Sequence, residues 1–179
     1  MSNGKAVVEV WTDGSCYPNP GGPGGWAAII IGKLKGVTDE EITNILKTSV
    51  AFNNDEFTYK SPPGTKVRWK ARILRGGLPE AKANTNNRME VMAIMEAFRA
   101  MKPCKVTVVT DSQYAIGLLS GRNRAKKNVD QKLQFLTLST GFDIIWKHIH
   151  GHGSGTPNVI ADLLAGEAAN EFRKQATED

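Results

Sequence analysis

Two short strings in this chain hold the residues best suited to chemistry: Trp11-Thr12-Asp13-Gly14-Ser15 and Val109-Thr110-Asp111-Ser112-Gln113. Each places a Thr-Asp step after a run of β-formers, Val7 to Val10 in one case and Lys105 to Val109 in the other. If those runs are neighbouring parallel strands, their ends lie about 4.8 Å apart and aim two carboxylates at one point. Such a pair repels itself unless a proton or a cation intervenes. Oxygen-only ligands suit a hard divalent ion, Mg²⁺ or Mn²⁺, better than zinc. The competing role for each Asp is local, as an Asx-turn or a helix cap. A matched pair at two strand ends favours the shared cation.

Two more carboxylates can join them. Glu90 falls in the first turn of an expected helix, where a Glu also serves the helix dipole or a capping box. Asp162 stands one turn into the last expected helix, ten residues after His152. Four carboxylates meeting at strand ends would suit two-metal phosphodiester chemistry, in which one ion activates water and the other stabilises the leaving oxygen. His148, His150 and His152 imitate a zinc site by spacing, but no cysteine accompanies them and the nearby carboxylates prefer harder ions. His152, flanked by Gly151 and Gly153, is better placed as a movable proton carrier or an aid to product release.

The elements that must position these groups follow from periodicity. Strands are expected over 6–11, 26–31, 66–75, 105–110 and 143–148, with the second antiparallel to the first. Helices are expected over 87–101, 113–119, 129–138 and 158–172, and a helix start at Thr38 to Glu41. The segment from about 174 reads as a tail. Strands first and βα alternation later imply a mixed α/β sheet with helices on both faces. Met95 and Met101 read as core filler. The Gly- and Pro-rich run 17–25 is a tight connection without the Gly-Lys-Ser/Thr ending of a phosphate-binding P-loop.

Composition bounds the rest. A chain of 179 residues with 40% hydrophobic residues fits one domain, 1–179, with a sizeable core. No apolar run approaches the roughly 18 residues of a membrane span. Cys16 and Cys104 form no disulfide framework, which points to free thiols in a reducing cytoplasm. The formal charge is +5, and its distribution matters more than its size. Six Lys/Arg and no acid lie between Phe57 and Pro79, and four Lys/Arg and no acid between Ser112 and Val129. Two basic stretches around an acidic centre fit a polyanion held at a metal site.

With these residues assembled, the chain resembles the type 1 ribonucleases H. The matching blocks are Thr12-Asp13-Gly14-Ser15-Cys16, Asn19-Pro20-Gly21, Thr85-Asn86-Asn87-Arg88-Met89-Glu90, Thr110-Asp111-Ser112-Gln113-Tyr114, and Gly151-His152 with Asn158 and Asp162. The resemblance implies a five-stranded mixed sheet in order 3-2-1-4-5. It implies two Mg²⁺ ions, with Mn²⁺ as a substitute, on Asp13, Glu90, Asp111 and Asp162, and a mobile catalytic histidine at His152. It implies a monomer that cuts the RNA strand of RNA–DNA hybrids, leaving 5′-phosphate and 3′-hydroxyl ends. The residues that sense RNA 2′-hydroxyls map onto Asn19, Asn86, Asn87 and Gln113, and the grip on a DNA phosphate onto Thr85 and Asn128, beside Lys126 and Lys127. Amides suit that task because they both donate and accept in a shallow groove, although paired Asn residues also cap helices. A DNA strand-transfer enzyme and a non-catalytic hybrid-binding module are the alternatives on the same fold.

The chain departs from the family pattern twice. The segment between Asp111 and Asn128 is too short for the extra helix and Trp-rich protrusion with which some members clamp the hybrid. Residues 33–75 are too long for a simple hairpin and have no family counterpart. In that insertion Lys66, Arg68, Lys70 and Arg72 alternate with Val67, Trp69, Ala71 and Ile73. The basic face is either solvated surface over a packed tryptophan or a replacement grip on nucleic-acid backbone.

Overall fold

The strand β1 (Val7–Cys16) is paired on both sides and forms the axis of the fold. The computed structural model describes residues 7–49, 56–60, 68–150 and 155–178. Along the chain β1 is followed by β2 (Gly24–Lys33), α1 (Asp39–Ser49), β3 (Glu56–Lys60), β4 (Trp69–Leu78) and α2 (Asn86–Arg99). Then come β5 (Lys105–Thr110), α3 (Gln113–Leu119), α4 (Val129–Leu138), β6 (Asp143–His148) and α5 (Asn158–Glu178).

The sheet order among the described residues is β3-β4-β2-β1-β5-β6. The five strands expected from the sequence stand in the expected order, β1 antiparallel to β2 and parallel to β5. The insertion adds a sixth strand, β3, antiparallel on the outer edge of β4. The third expected strand is shifted: it begins at Trp69 and ends at Leu78, while Lys66 and Val67 lie outside the described residues. At the other end of the chain, the segment from 174 is no separate tail, because α5 continues to Glu178.

Helices cover both faces. One core holds Val91, Ile94, Met95 and Phe98 of α2 with Leu118 of α3 and Phe135 of α4. The other packs Ile160, Ala161 and Leu164 of α5 beside Ile42 and Leu46 of α1, over Trp11, Ile29 and Trp69. The insertion thus supplies a helix that covers sheet surface beside α5. Its attachment is partly ionic: Lys33 Nζ lies 2.9 Å from Glu9 and 2.5 Å from Asp39. Thr38 Oγ1 accepts from Glu41 N at the helix start, and three acids in the first turn suit the dipole.

Trp69 is 1% exposed, so it is core, as its alternation with the basics requires. Of the basic face, Lys70 lies far from the carboxylates. Lys70 pairs with Gly32, which pairs with Val8, whereas Asp13 pairs with Ala27, which pairs with Arg75. Five strand positions, about 17 Å, separate the two levels of the sheet. Arg72 Nη1 donates to Ala100 O at the far end of α2 (2.9 Å). No helix among the described residues is long and apolar enough to cross a membrane.

Candidate active site

Asp13 does not end its strand. The β1–β2 ladder runs on to Cys16↔Gly24, while the parallel neighbour β5 stops at Thr110. Asp13 therefore stands where one partner continues and the other turns away, and Asp111 is the first residue of that turn. One carboxylate oxygen of Asp13 accepts from Gly14 N at 2.7 Å.

Glu90 reaches the same point because Gly14 has no side chain. A Cβ there would stand 2.2 Å from Glu90 N and 2.4 Å from Met89 C, so β1 and the first turns of α2 meet backbone to backbone. Thr85 starts that helix, its hydroxyl accepting from Arg88 N at 3.1 Å. Ser112, the N-cap of α3, accepts from Ala115 N and gives its own hydroxyl hydrogen to the Glu90 carboxylate. His148 ends β6 opposite Thr110, and its Nε2 donates to Asp111 O at 3.0 Å.

Ligand oxygens of Asp13, Glu90 and Asp111 all lie within 4.8 Å of one another. Burial, and then the charge of Asp111, push the Asp13 carboxyl up to about 8; Asp162 and Glu90 add to the rise. Burial raises Glu90 to about 7, with Asp111 adding and the Ser112 hydroxyl opposing. Asp13 Oδ2 is buried and has no hydrogen-bond partner among the described residues. An acidic cluster that repels itself, made only of oxygen donors and with one orphaned buried oxygen, fits a hard divalent cation. Asp162 is exposed on the first turn of α5 and acts on Asp13 through its charge, from outside the 4.8 Å group. Close packing seats that helix: a Cβ on Gly25 would stand 2.0 Å from Ala165 O.

A groove of about 870 Å³ runs from Glu90 along the start of α2 to the start of α4. Asn19, Thr85, Asn86, Asn87, Lys127 and Asn128 all line it. Asn86 Oδ1 accepts from Cys16 N (2.7 Å) and Asn19 Oδ1 accepts from Asn86 N (3.2 Å). Those hydrogen bonds fix the amide orientation and leave the Nδ2 donors as the groups that can meet a ligand. Asn128 sits in the left-handed region (φ 54°) and donates from Nδ2 to Tyr114 Oη, while its Oδ1 accepts from Arg88. Arg88 also forks onto Asp130, whose carboxyl it holds below the ordinary range.

Gln113 and Lys126 line neighbouring cavities rather than this groove. His152 lies outside the described residues. Sequence reasoning assigned no role to Gly14, Ser112, Arg88 or Tyr114, although all four sit inside the motifs it used; their contacts join segments far apart in the chain. It gave His148 no role beyond the imitation of a zinc site that it set aside, whereas that ring holds the main chain of Asp111 and packs edge-on against His150, with centroids 4.7 Å apart.

Comparison with known proteins matches this arrangement. The family description RNase H fits residues 62–170. A ribonuclease H of Stutzerimonas stutzeri is 32% identical, with 94% of this chain and 95% of that one aligned. A ribonuclease H of Thermoanaerobacter sp. is 30% identical over 98% and 97% of the two chains. Among solved structures, the N-terminal RNase H domain of a Mycobacterium tuberculosis protein superposes with a TM-score of 0.62 at 18% identity, covering 96% of this chain and 99% of that one. LC11-RNase H1 in complex with an RNA/DNA hybrid gives a TM-score of 0.57 at 16% identity, covering 92% and 97%. Each of these two has the same fold as this chain.

Proposed function

The chain belongs to the ribonuclease H family, and from that premise we propose that Asp13, Glu90, Asp111 and Asp162 are the carboxylates with which it cuts the RNA strand of RNA–DNA hybrids. The observation that carries the assignment is the convergence of the Asp13, Glu90 and Asp111 carboxylates, together with a buried Asp13 Oδ2 that has no hydrogen-bond partner among the described residues. These residues would hold Mg²⁺, with Mn²⁺ as the substitute. When bound, the divalent ions supply Lewis-acid activation of water and charge neutralisation at the departing oxygen.

The residues of the chain do the rest. Ser112 and Gly14 hold Glu90 and Asp13 in place by hydrogen bonds to their carboxylates. His148 fixes the main chain of Asp111. Asn19, Asn86 and Asn87 present amide donors along the groove, where an RNA strand offers base edges and 2′-hydroxyls that DNA does not match. Gln113 extends that row from the neighbouring cavity. Thr85, Asn128 and Lys127, with Lys126 beside them, grip a phosphate of the DNA strand at the far end of the groove. His152 serves as a movable proton carrier or as an aid to product release. The functional unit is one ribonuclease H domain, acting as a cytoplasmic monomer.

A labelled hybrid, matched double-stranded DNA and double-stranded RNA, each with Mg²⁺, Mn²⁺ or EDTA, test this proposal. The expected result is cleavage of RNA in the hybrid alone, and only with a divalent ion. Cleavage of the DNA duplex, or cleavage persisting in EDTA, would overturn it.

A further inference from the structure

On the α3 and β6 side of the carboxylate cluster lies a second cavity, of about 380 Å³. Gln113 and Gly117 of α3, Arg122 and Asn123 of the loop that follows, and Trp146 and His148 of β6 line it. Its volume falls within the roughly 300–1,000 Å³ of small-molecule sites.

Four contacts give this cavity a fixed shape. The Asn123 side chain occupies space that any side chain at 117 would fill: a Cβ on Gly117 would stand 2.2 Å from Asn123 Nδ2. The same Asn123 donates its backbone N–H to Gly117 O at 3.0 Å. Trp146 is half-buried on the edge strand and rests against the buried Phe135, with ring centroids 6.0 Å apart. His148, one wall of the cavity, is hydrogen-bonded to Asp111 O. The cavity and the carboxylate cluster therefore share one stretch of main chain.

The chemistry of the lining is specific. An aromatic ring offers a stacking face that tolerates any base. Two carboxamides can each donate to and accept from a base edge or a ribose hydroxyl. A guanidinium matches a phosphate, and no carboxylate is among the lining residues. We propose that this cavity binds a single nucleoside monophosphate unit, with its base on Trp146, its polar edge on Gln113 and Asn123, and its phosphate on Arg122. The unit is either an unpaired nucleotide at a strand end or a free nucleotide. The strand-end source rests on the ribonuclease H assignment; the binding chemistry does not.

Calorimetric titration of adenosine 5′-monophosphate into the native chain in Mg²⁺ buffer tests the proposal, beside Trp146→Leu, Trp146→Phe, Gly117→Ala and Arg122→Gln. Trp146→Leu and Gly117→Ala should weaken binding by about tenfold or more, the scale of removing a stacking face, while Trp146→Phe stays within about threefold of native. Arg122→Gln should weaken the monophosphate and leave adenosine unchanged. Trp146→Phe and Arg122→Gln keep the test decisive if Gly117→Ala does not fold. Adenosine 5′-monophosphate that does not bind the native chain, or binds all variants alike, overturns the proposal. Hybrid cleavage by the native chain, measured in parallel, shows whether the ribonuclease H assignment stands regardless. A second arm compares binding of Asp111→Asn to a blunt hybrid and to one carrying a single unpaired, 5′-phosphorylated RNA nucleotide. Tighter binding of the overhang, abolished by adding Arg122→Gln, identifies the strand end as the source; equal binding assigns the cavity to free nucleotide.

Discussion

Gly14 and Glu90 meet so closely that no side chain fits between them: a Cβ on Gly14 would lie 2.2 Å from the Glu90 nitrogen and 2.8 Å from its Cα. Backbone atoms on both sides leave nothing flexible to move. Gly14→Ala is therefore expected to push α2 away from β1, separating the Glu90 and Asp13 carboxylates. Overpacking of this kind costs about 1–3 kcal/mol, and urea unfolding should show the upper part of that range. Turnover should fall far more than hybrid affinity, because Asn86, Asn87 and Arg88 of the groove belong to α2 and move with it, while Asn19, Lys127 and Asn128 stand on other elements. A variant with native turnover would show that the close approach does not set the site.

Without metal, stability should decline as pH rises. Folded Asp13 keeps its proton up to about 8 and Glu90 up to about 7, whereas their ordinary values are 3.8 and 4.5. Between those values the folded chain binds more protons than the unfolded chain, so each added pH unit favours unfolding. The contribution is complete below about pH 4 and lost by about pH 8. Asp130, held low by Arg88, acts in the opposite sense but only below its ordinary value of 3.8. The urea midpoint of chelated protein should fall from about pH 5 to about pH 8, and Mg²⁺ should restore it at the upper end. Asp13→Asn should flatten the trend. A midpoint that climbs across this range would contradict the burial of these carboxyls.

His148→Phe removes the donor that holds Asp111 O while keeping a ring. Groups that hold a metal ligand in place commonly matter by about 10- to 100-fold, and turnover should drop on that scale with the Michaelis constant little changed. His148→Gln, which can still donate, should recover part of the loss. Equal losses in both variants would reduce the histidine to a packing role.

The basic face of the insertion should be silent in catalysis. Arg68 is exposed and pairs with Glu41 at 3.4 Å, and Lys70 lies five strand positions from the level of Asp13. Removing a cation that neutralises one phosphate flattens the plot of log affinity against log salt by roughly 0.7–0.9 units. Arg68→Gln with Lys70→Gln should leave that slope unchanged. A slope reduced by the equivalent of one phosphate or more would place nucleic acid at the far end of the sheet.

Elements with local signals at both ends were legible in the sequence. β5, α3, α4 and β6 have the expected bounds, each with a run of one periodicity and an N-cap or turn residue at its limits. The pairing of Asp13 with Asp111 was legible for the same reason, since both follow β-forming runs. What escaped depends on contacts between distant segments. β1 continues through Gly14 because β2 pairs with it to Cys16, which the glycine conceals in a single strand read alone. The tether from His148 to Asp111 depends on the β5–β6 register, Thr110 against His148. The direction of the basic face depends on which end of β4 lies beside Asp13. β3 alternates Phe57 and Tyr59 with Glu56, Thr58 and Lys60, but at five residues it is too short a signal to stand apart within the insertion.

The most direct measurement is turnover and hybrid affinity of Asp111→Asn in Mg²⁺, using one labelled RNA–DNA hybrid. If Asp13, Glu90 and Asp111 form the metal centre, the variant does not cleave, yet binds the hybrid as tightly as the native chain or more tightly, since one negative charge facing the phosphates is gone. Cleavage at a near-native rate would remove Asp111 from the centre and contradict the account.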